Sequence, residues 1–182
     1  MNYPILKIER LSQTSTTKFC FMENIFVYSS ENFYGLIAYN FKTIIPPTYE
    51  EILPAFTHHF WGCKNEKWKL HNFENIEINN KQFEEVETFQ NGYACVSKNG
   101  KTFGFVDRNG NFKIPAHYLK GQHLGNCLFA VGKDIQGKLK YGIIDLKEEL
   151  ILPYLFDEIP TFTDVALLLL KRRKPLREWL RL

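Results

Sequence analysis

The chain has 182 residues, 45% of them hydrophobic and 24% charged, and this composition excludes an intrinsically disordered protein. The formal net charge is +3, but residues 171–181 contain six of the 23 basic side chains and only one of the 20 acidic ones. The rest of the chain has 17 basic and 19 acidic side chains, which argues against a nucleic-acid binder with Lys and Arg spread over one face.

Cysteine usage and hydropathy indicate a soluble protein, which we expect to be cytoplasmic. None of the four cysteines belongs to a Cys-x-x-Cys motif, so we expect free thiols, mostly in the core. These cysteines are Cys20, Cys63, Cys95 and Cys127. The sequence shows no signal-peptide pattern, and its longest apolar run, 165–170, is too short to span a membrane.

Residues 1–33 are predicted to form a degenerate N-terminal repeat unit. Two strand-like runs, 19–22 and 25–28, are followed by turn residues at 29–32, as expected for the second half of a repeat.

Four clearer repeat units follow, and each begins with an aromatic residue. The unit starts, which are 34 to 38 residues apart, are Tyr34, Trp68, Phe103 and Tyr141. The residue 15 positions after each start is also aromatic: Tyr49, Phe83, Tyr118 and Phe156. We therefore predict a single repeat domain over 1–182. Its units are 34–67, 68–102, 103–140 and 141–178, and 179–182 begin a further unit.

Glycine and proline also recur at fixed positions of the repeat. Glycine follows three of the leading aromatic residues, where we expect a neighbouring strand or ring to approach closely. These glycines are Gly35, Gly104 and Gly142. Proline stands 12 positions after the same aromatic residues and is predicted to mark the end of a strand. These prolines are Pro46, Pro115 and Pro153.

The remaining columns predict turns, exposed acids and a core. Asn99-Gly100 and Asn109-Gly110 predict type I′ hairpin turns, in which both residues have positive φ. An acidic pair follows the second aromatic residue in three units, and we expect these carboxylates to lie in solvated loops. The pairs are Glu50-Glu51, Glu84-Glu85 and Asp157-Glu158. Both aromatic columns are predicted to be core.

This pattern resembles the WG (also called KWG) repeat of bacterial proteins, over about residues 34–165. Tyr or Phe replaces the leading Trp in three units, and Lys69 replaces the Gly of the second unit. The literal Trp61-Gly62 pair lies out of phase, seven residues before Trp68. The resemblance implies an all-β repeat protein that acts as a scaffold or interaction module, and it implies no catalytic residues.

The fold predicted from the repeat is therefore all-β. We expect tandem β-meander units of about 35 residues that form a β-solenoid or a small propeller-like array. The periodicity alone does not distinguish a closed ring from an open spiral.

One grouping of side chains resembles a metal site: His58, His59 and Cys63. Adjacent His residues on a strand point to opposite faces, so both could bind one ion only from a loop. The sequence has neither a phosphate-binding glycine loop nor a nucleophile elbow. We therefore predict no catalytic residue, no metal and no cofactor, with a metal-dependent enzyme using this cluster as the alternative.

For binding we single out His58, His59, Trp61 and Trp179. Residues 165–170 are predicted to be the closing strand of the fourth unit, and 171–174 a charged hairpin. We expect the chain to bind another protein, as a scaffold or as an immunity- or inhibitor-type binder, and to self-associate through its C-terminal tail. We expect no nucleic-acid or membrane partner; binding of either through the basic tail is a further alternative.

Overall fold

The computed structural model describes residues 25–161, which contain 14 β-strands and no helix. The all-β class predicted from the sequence is thus confirmed. Within this range nothing has the helical length and apolarity needed to cross a membrane. The contacts divide the chain into two compact units, with the boundary between Ala116 and His117.

The strands form four sheets, and neighbouring strands of each sheet are consecutive in the sequence. The first sheet consists of β1 (Ile25–Ser30), β2 (Phe33–Ala38) and β3 (Thr43–Tyr49). The second consists of β4 (Glu51–Pro54), β5 (His59–Lys64) and β6 (Lys67–Asn72). The third consists of β7 (Glu85–Val86), β8 (Tyr93–Ser97), β9 (Phe103–Asp107) and β10 (Phe112–Tyr118). The fourth consists of β11 (Lys120–Gly125), β12 (Leu128–Ile135), β13 (Lys138–Ile144) and β14 (Leu150–Phe156).

The two aromatic columns of the repeat are cross-strand partners. Tyr34 lies opposite Tyr49, and Tyr141 lies opposite Phe156, in antiparallel ladders. An isolated bridge joins Trp68 to Phe83 in the same way. Six of the eight column residues are buried, which confirms that the columns are core: Tyr49, Trp68, Phe83, Phe103, Tyr118 and Tyr141.

The repeat glycine and proline meet at one bulge. A Cβ on Gly104 would lie 2.5 Å from the carbonyl oxygen of Ile114 and 2.6 Å from the carbonyl carbon of Pro115. The close approach expected of the glycine column is thus confirmed. In the first sheet the register runs from Tyr34↔Tyr49 to Leu36↔Ile45, so two residues of β2 face four of β3.

The prediction that the prolines mark strand ends is wrong. Pro46, Pro115 and Pro153 lie inside β3, β10 and β14. Proline is tolerated there because extra residues in a bulge leave the ladder locally unpaired, so its missing N–H is not required.

The second sheet departs from this plan at Lys69. A side chain at this position cannot fit the close backbone approach that the glycines allow. The segment that follows β6 pairs with it only through two isolated bridges, Trp68↔Phe83 and His71↔Glu77. No strand of the described chain lies between Asn72 and Glu85.

The two Asn-Gly turns join the strands as predicted, but their conformation differs. Only Gly100 and Gly110 have positive φ, whereas a type I′ turn needs two such residues. The Asn99 and Asp107 side chains accept backbone N–H bonds and hold these loops instead. Consecutive positive φ angles occur at five other turns: Glu31-Asn32, Asn65-Glu66, Asn91-Gly92, Asn126-Cys127 and Gln136-Gly137.

A second turn recurs in all four repeat units. In each unit, the residue four positions after the leading aromatic donates its N–H to the carbonyl oxygen four residues later. Its own carbonyl oxygen accepts the N–H of the residue three positions later. The residue that donates this second bond has positive φ in every case, and it is Phe41, Asn75, Gly110 and Glu148 in turn.

Consecutive sheets within 25–116 share hydrophobic clusters. One cluster contains Leu36 and Ile45 of the first sheet with Ile52 and Phe60 of the second. The next contains residues of the second and third sheets: Trp61, Cys63, Trp68, Leu70, Ala94, Val96 and Val106. Both faces of β5 are therefore buried, one in each cluster.

Candidate functional site

The two adjacent histidines lie at the turn between β4 and β5. His58 is exposed and has a φ of 59°, while His59 is half-buried and begins β5. His59 stacks on Phe56 with ring centroids 4.2 Å apart, and its Nδ1 donates to the carbonyl oxygen of Thr57 at 2.7 Å. These contacts fix the His59 ring against its own turn.

The other residues named from the sequence lie apart from that turn. Trp61 is 0% exposed and donates its indole N–H to the carbonyl oxygen of Glu87 at 3.1 Å. Cys63 is also buried, and burial, with the nearby Glu50 and Glu51 charges, raises the pKa of its thiol. Trp179 lies outside the described residues, as do the predicted strand 165–170 and hairpin 171–174.

Among residues 25–161 the structure brings together no group of three His, Cys, Asp or Glu side chains that could hold a metal ion. His59 and Cys63 are four residues apart on β5, about 13 Å along an extended strand. The thiols of Cys63 and Cys127 are free, as predicted, and Cys95 is buried, although Cys127 lies exposed in a hairpin turn rather than in the core.

The acidic pairs are exposed, as predicted, although Glu51 and Glu85 begin strands β4 and β7 and do not lie in loops. The first member of each pair has a defined role. Glu50 accepts the N–H groups of Asn65 and Glu66 at 3.0 and 3.1 Å and so caps the β5–β6 turn. In two other units the first acid forms an ion pair with the lysine before the leading aromatic residue. These pairs are Lys67–Glu84 and Lys140–Asp157, at 2.7 and 2.6 Å.

A cleft opens where the second sheet departs from the repeat. Its volume is about 310 Å³, and it lies between β5, β6 and the returning segment that carries Glu77 and Gln82. In the first and third sheets the backbone of the next strand packs directly against the repeat glycine, Gly35 against β3 and Gly104 against β10. Lys69 prevents that closure, so the cleft follows from the substitution of the repeat glycine.

Three lysines line one face of the β5–β6 hairpin in this cleft: Lys64, Lys67 and Lys69. Lys64 and Lys67 are direct cross-strand partners on either side of the Asn65-Glu66 turn. Lys69 contacts both carboxylate oxygens of Glu77, at 2.9 and 3.0 Å. Lys64 lies over the Tyr49 ring, with its Nζ 4.3 Å from the ring centroid.

Tyr49 and His71 form the buried floor of the cleft. A Cβ on Gly62 would overlap the Tyr49 ring, so only glycine lets this ring lie across β5. The Tyr49 hydroxyl donates to Asn75 Oδ1 at 2.5 Å, and its pKa is raised to about 12, mainly by burial and secondarily by Glu77. Burial likewise lowers the pKa of His71, whose Nδ1 donates to the carbonyl oxygen of Lys69.

A second cavity, of about 470 Å³, adjoins the cleft and shares Lys67 and Gln82 with it. Its other lining residues are Asn80, Lys81 and Lys98. The two cavities together form what we call the lysine strip, which is lined by five lysines and one carboxylate, that of Glu77.

The sequence contains a signal for this strip that the aromatic columns obscured. Lys64, Lys98 and Lys133 each follow an aromatic column residue by 15 positions. Lys133 lies over the Tyr118 ring, at 5.2 Å, as Lys64 lies over Tyr49. These lysines lie at or near the ends of hairpin strands. The replacement of the repeat glycine by Lys69 marks the sheet in which such lysines line a cleft.

Three stretches of the chain match the family model described as the WG containing repeat: 34–56, 80–101 and 141–164. Two of them begin at Tyr34 and Tyr141, two of the predicted unit starts. The third lies within the second predicted unit and includes Gln82 and Lys98 of the lysine strip. These matches confirm the resemblance inferred from the sequence. No curated protein shows a significant match to the chain.

Proposed function

Because the chain carries WG-containing repeats, we propose that it is a non-catalytic module that binds another protein. The observation that carries the proposal is the break in the repeat at the second sheet. The regular units close over their glycines, whereas this unit opens a cleft lined by charged and amide side chains. A departure from an otherwise repeated plan is expected where function, rather than folding, selects the residues.

The proposal extends to the arrangement of the units as a β-solenoid or small propeller-like array. The sharing of hydrophobic clusters by consecutive sheets within 25–116 supports it. Stacked units of this kind present extended surfaces, which suit recognition of a protein better than enclosure of a small substrate. A scaffold and an immunity- or inhibitor-type binder are both forms of this function.

The lining of the cleft also supports binding rather than catalysis. Lys67 and Lys69 are held by Glu84 and Glu77, and Tyr49 is bonded to Asn75. The basic groups are thus already engaged by neighbours of opposite charge, as on a recognition surface, and their partners are exposed enough to be exchanged.

Affinity capture from the native host tests the proposal. The tagged chain and a control of equal net charge and size are used as bait, and co-purifying proteins are quantified by mass spectrometry. We expect one protein to be enriched in near-stoichiometric amount over the control. Failure to enrich any protein, or enrichment of nucleic acid alone, would contradict the proposal.

Self-association through the C-terminal tail is part of the same proposal. Sedimentation of the full chain and of a chain lacking 175–182 measures it, and we expect the truncation to yield only monomers. A monomer at all concentrations of the full chain would exclude self-association and leave binding of a different protein as the proposal.

A further inference from the structure

We infer that the lysine strip binds an acidic segment of the partner protein, in an extended conformation, with its carboxylates paired to Lys64, Lys67 and Lys69. This inference rests on the proposed function and names the chemistry that the cleft would recognise. The residues that carry it all lie in the first compact unit.

The lysine strip has a local excess of basic side chains, although Glu84 and Glu77 each pair with one of its lysines. Outside 171–181 the chain has a small excess of acidic over basic side chains. The two adjoining cavities are nevertheless lined by five lysines and a single carboxylate. An acidic ligand is the class that such a local excess attracts, because cavity walls of one sign of charge focus the field.

Lys64 lies directly opposite Lys67, as Lys133 lies opposite Lys140 in the fourth sheet. The register puts their Cβ atoms about 5 Å apart, and like charges in direct opposition destabilise a hairpin. The Asn65-Glu66 turn between them is already held by the Glu50 carboxylate. In the second sheet this lysine pair borders the cleft, where a partner's carboxylate can contact both side chains.

The internal carboxylates show how such a ligand would be held. Glu77 bonds Lys69 through both oxygens, and Glu84 bonds Lys67 at 2.7 Å. Both ion pairs are solvent-exposed on at least one side, with Lys67 and Glu84 side chains 42% and 39% exposed. Exposed pairs contribute little to stability, so a partner's carboxylates can replace these acids at low cost.

The polar lining favours a peptide over a nucleic acid. Asn65, Asn80 and Gln82 offer amide donors and acceptors that match the N–H and C=O groups of an extended chain. The described residues that line the strip include no Arg, and its one tyrosine, Tyr49, is buried. Base stacking and bidentate phosphate contacts, which nucleic-acid grooves use, therefore have no groups to make them here.

Fluorescence anisotropy with a labelled peptide of alternating Glu and Ser tests the inference on the full chain. Alternation puts successive carboxylates on one side of an extended peptide, about 7 Å apart. We expect saturable binding that weakens with added salt, and no binding of the matched Lys-Ser peptide. A labelled oligothymidine serves as the phosphate-bearing probe and is expected to bind at least about tenfold more weakly.

The site-specific variant is Lys64→Gln/Lys69→Gln, and a lysine pair of the fourth sheet provides a control of equal charge change. Lys133 and Lys140 occupy the repeat positions of Lys64 and Lys67, and they lie over Tyr118 and against Asp157 respectively. Lys133→Gln/Lys140→Gln thus removes the same net charge. We expect the first variant to lose affinity for the Glu-Ser peptide by about tenfold or more and the control to lose less than about twofold. Circular dichroism melts verify that both variants fold.

The outcomes separate the two proposals. Equal loss in both variants, no peptide binding by the wild type, or tighter binding of oligothymidine would overturn the acidic-segment inference. If a captured partner is retained by Lys64→Gln/Lys69→Gln, the chain binds protein through another surface and the inference alone fails. If no partner is captured by the wild type, the proposed function itself fails.

Discussion

Two tyrosines at the same repeat position each bond to a strained turn residue further along the chain. Tyr49 donates to Asn75 at 2.5 Å, and within the second compact unit Tyr118 donates to Glu148 at 2.8 Å. Asn75 and Glu148 both have positive φ, a conformation that costs non-glycine residues about 1 kcal/mol or more. The tyrosine hydroxyls thus hold side chains whose backbone would otherwise favour another conformation.

Replacing Tyr118 by alanine should cost about 3–5 kcal/mol of unfolding free energy, the usual range for a buried large aromatic side chain. Tyr118 is only 2% exposed and also accepts the Lys133 ammonium over its ring. Tyr118→Phe keeps the ring and should lose only about 1 kcal/mol with the hydroxyl. Denaturant titrations measure both, and a Tyr118→Ala midpoint equal to that of the wild type would show that this column is not core.

Tyr49 predicts a loss of stability at alkaline pH. Its folded pKa of about 12 exceeds the ordinary tyrosine value of 10.0, so its contribution to stability is complete below pH 10 and is lost as the pH rises towards 12. We expect the melting temperature of Tyr49→Phe to lie below that of the wild type at pH 8. We expect this difference in melting temperature to narrow above pH 10. Thermal melts across this range measure it, and a gap of constant size would contradict the assigned pKa.

At the scale of the strand, the bulge opposite the repeat glycine is the most constrained feature. We expect Gly104→Ala to destabilise by about 1–3 kcal/mol, because the new Cβ would meet the Ile114 carbonyl oxygen at 2.5 Å. Gly142→Ala should cost less, since its nearest atom, Tyr154 Cδ1, is 3.0 Å away.

Lys69→Ala is the matched control for these glycine substitutions, because Lys69 occupies the same repeat position without the close approach. We expect it to change the unfolding free energy by less than about 1 kcal/mol, since it removes only an exposed ion pair. The loss of stability should be largest for Gly104→Ala, smaller for Gly142→Ala and smallest for Lys69→Ala. Denaturant midpoints in any other order would contradict the steric explanation of the glycine column.

The strands and their core residues could be predicted from the sequence because they follow from hydrophobic patterning repeated four times. The conformations of the turns could not be predicted in this way. Glu31-Asn32 and Gln136-Gly137 form hairpins with two positive φ angles, although neither is an Asn-Gly pair. At Asn99 and Asp107 the side chain bonds the loop amides and selects another turn, an effect that dipeptide preference does not include.

For the molecule as a whole, the sequence predicts the repeat but not the surface that carries the cleft. Trp61, which the sequence singles out for binding together with His58 and His59, is buried in a cluster shared by two sheets. The cleft depends on Lys69 and on the absence of a closing strand between Asn72 and Glu85. Lys133 and Lys140 are paired across the fourth sheet as Lys64 and Lys67 are across the second, so the cleft beside Lys69 and not the register distinguishes the lysine strip.

We expect the purified chain to contain no stoichiometric zinc, and we expect His58→Ala/His59→Ala to fold normally. His58 is exposed at a turn, and His59 Nδ1 already donates to the Thr57 carbonyl oxygen. Inductively coupled plasma mass spectrometry and a thermal melt measure these expectations. About one zinc per chain, lost in the double variant, would instead support the metal-dependent alternative.

The consecutive order of strands in every sheet also has a kinetic consequence. Each pairing between the named strands joins neighbours in the sequence, so no ladder requires a distant segment to diffuse into place. Folding rates rise as contacting residues come closer along the chain, and short loops cost little entropy to close. During translation each sheet can therefore be completed as soon as its last strand leaves the ribosome. We expect the four sheets to form in the order in which they are synthesised.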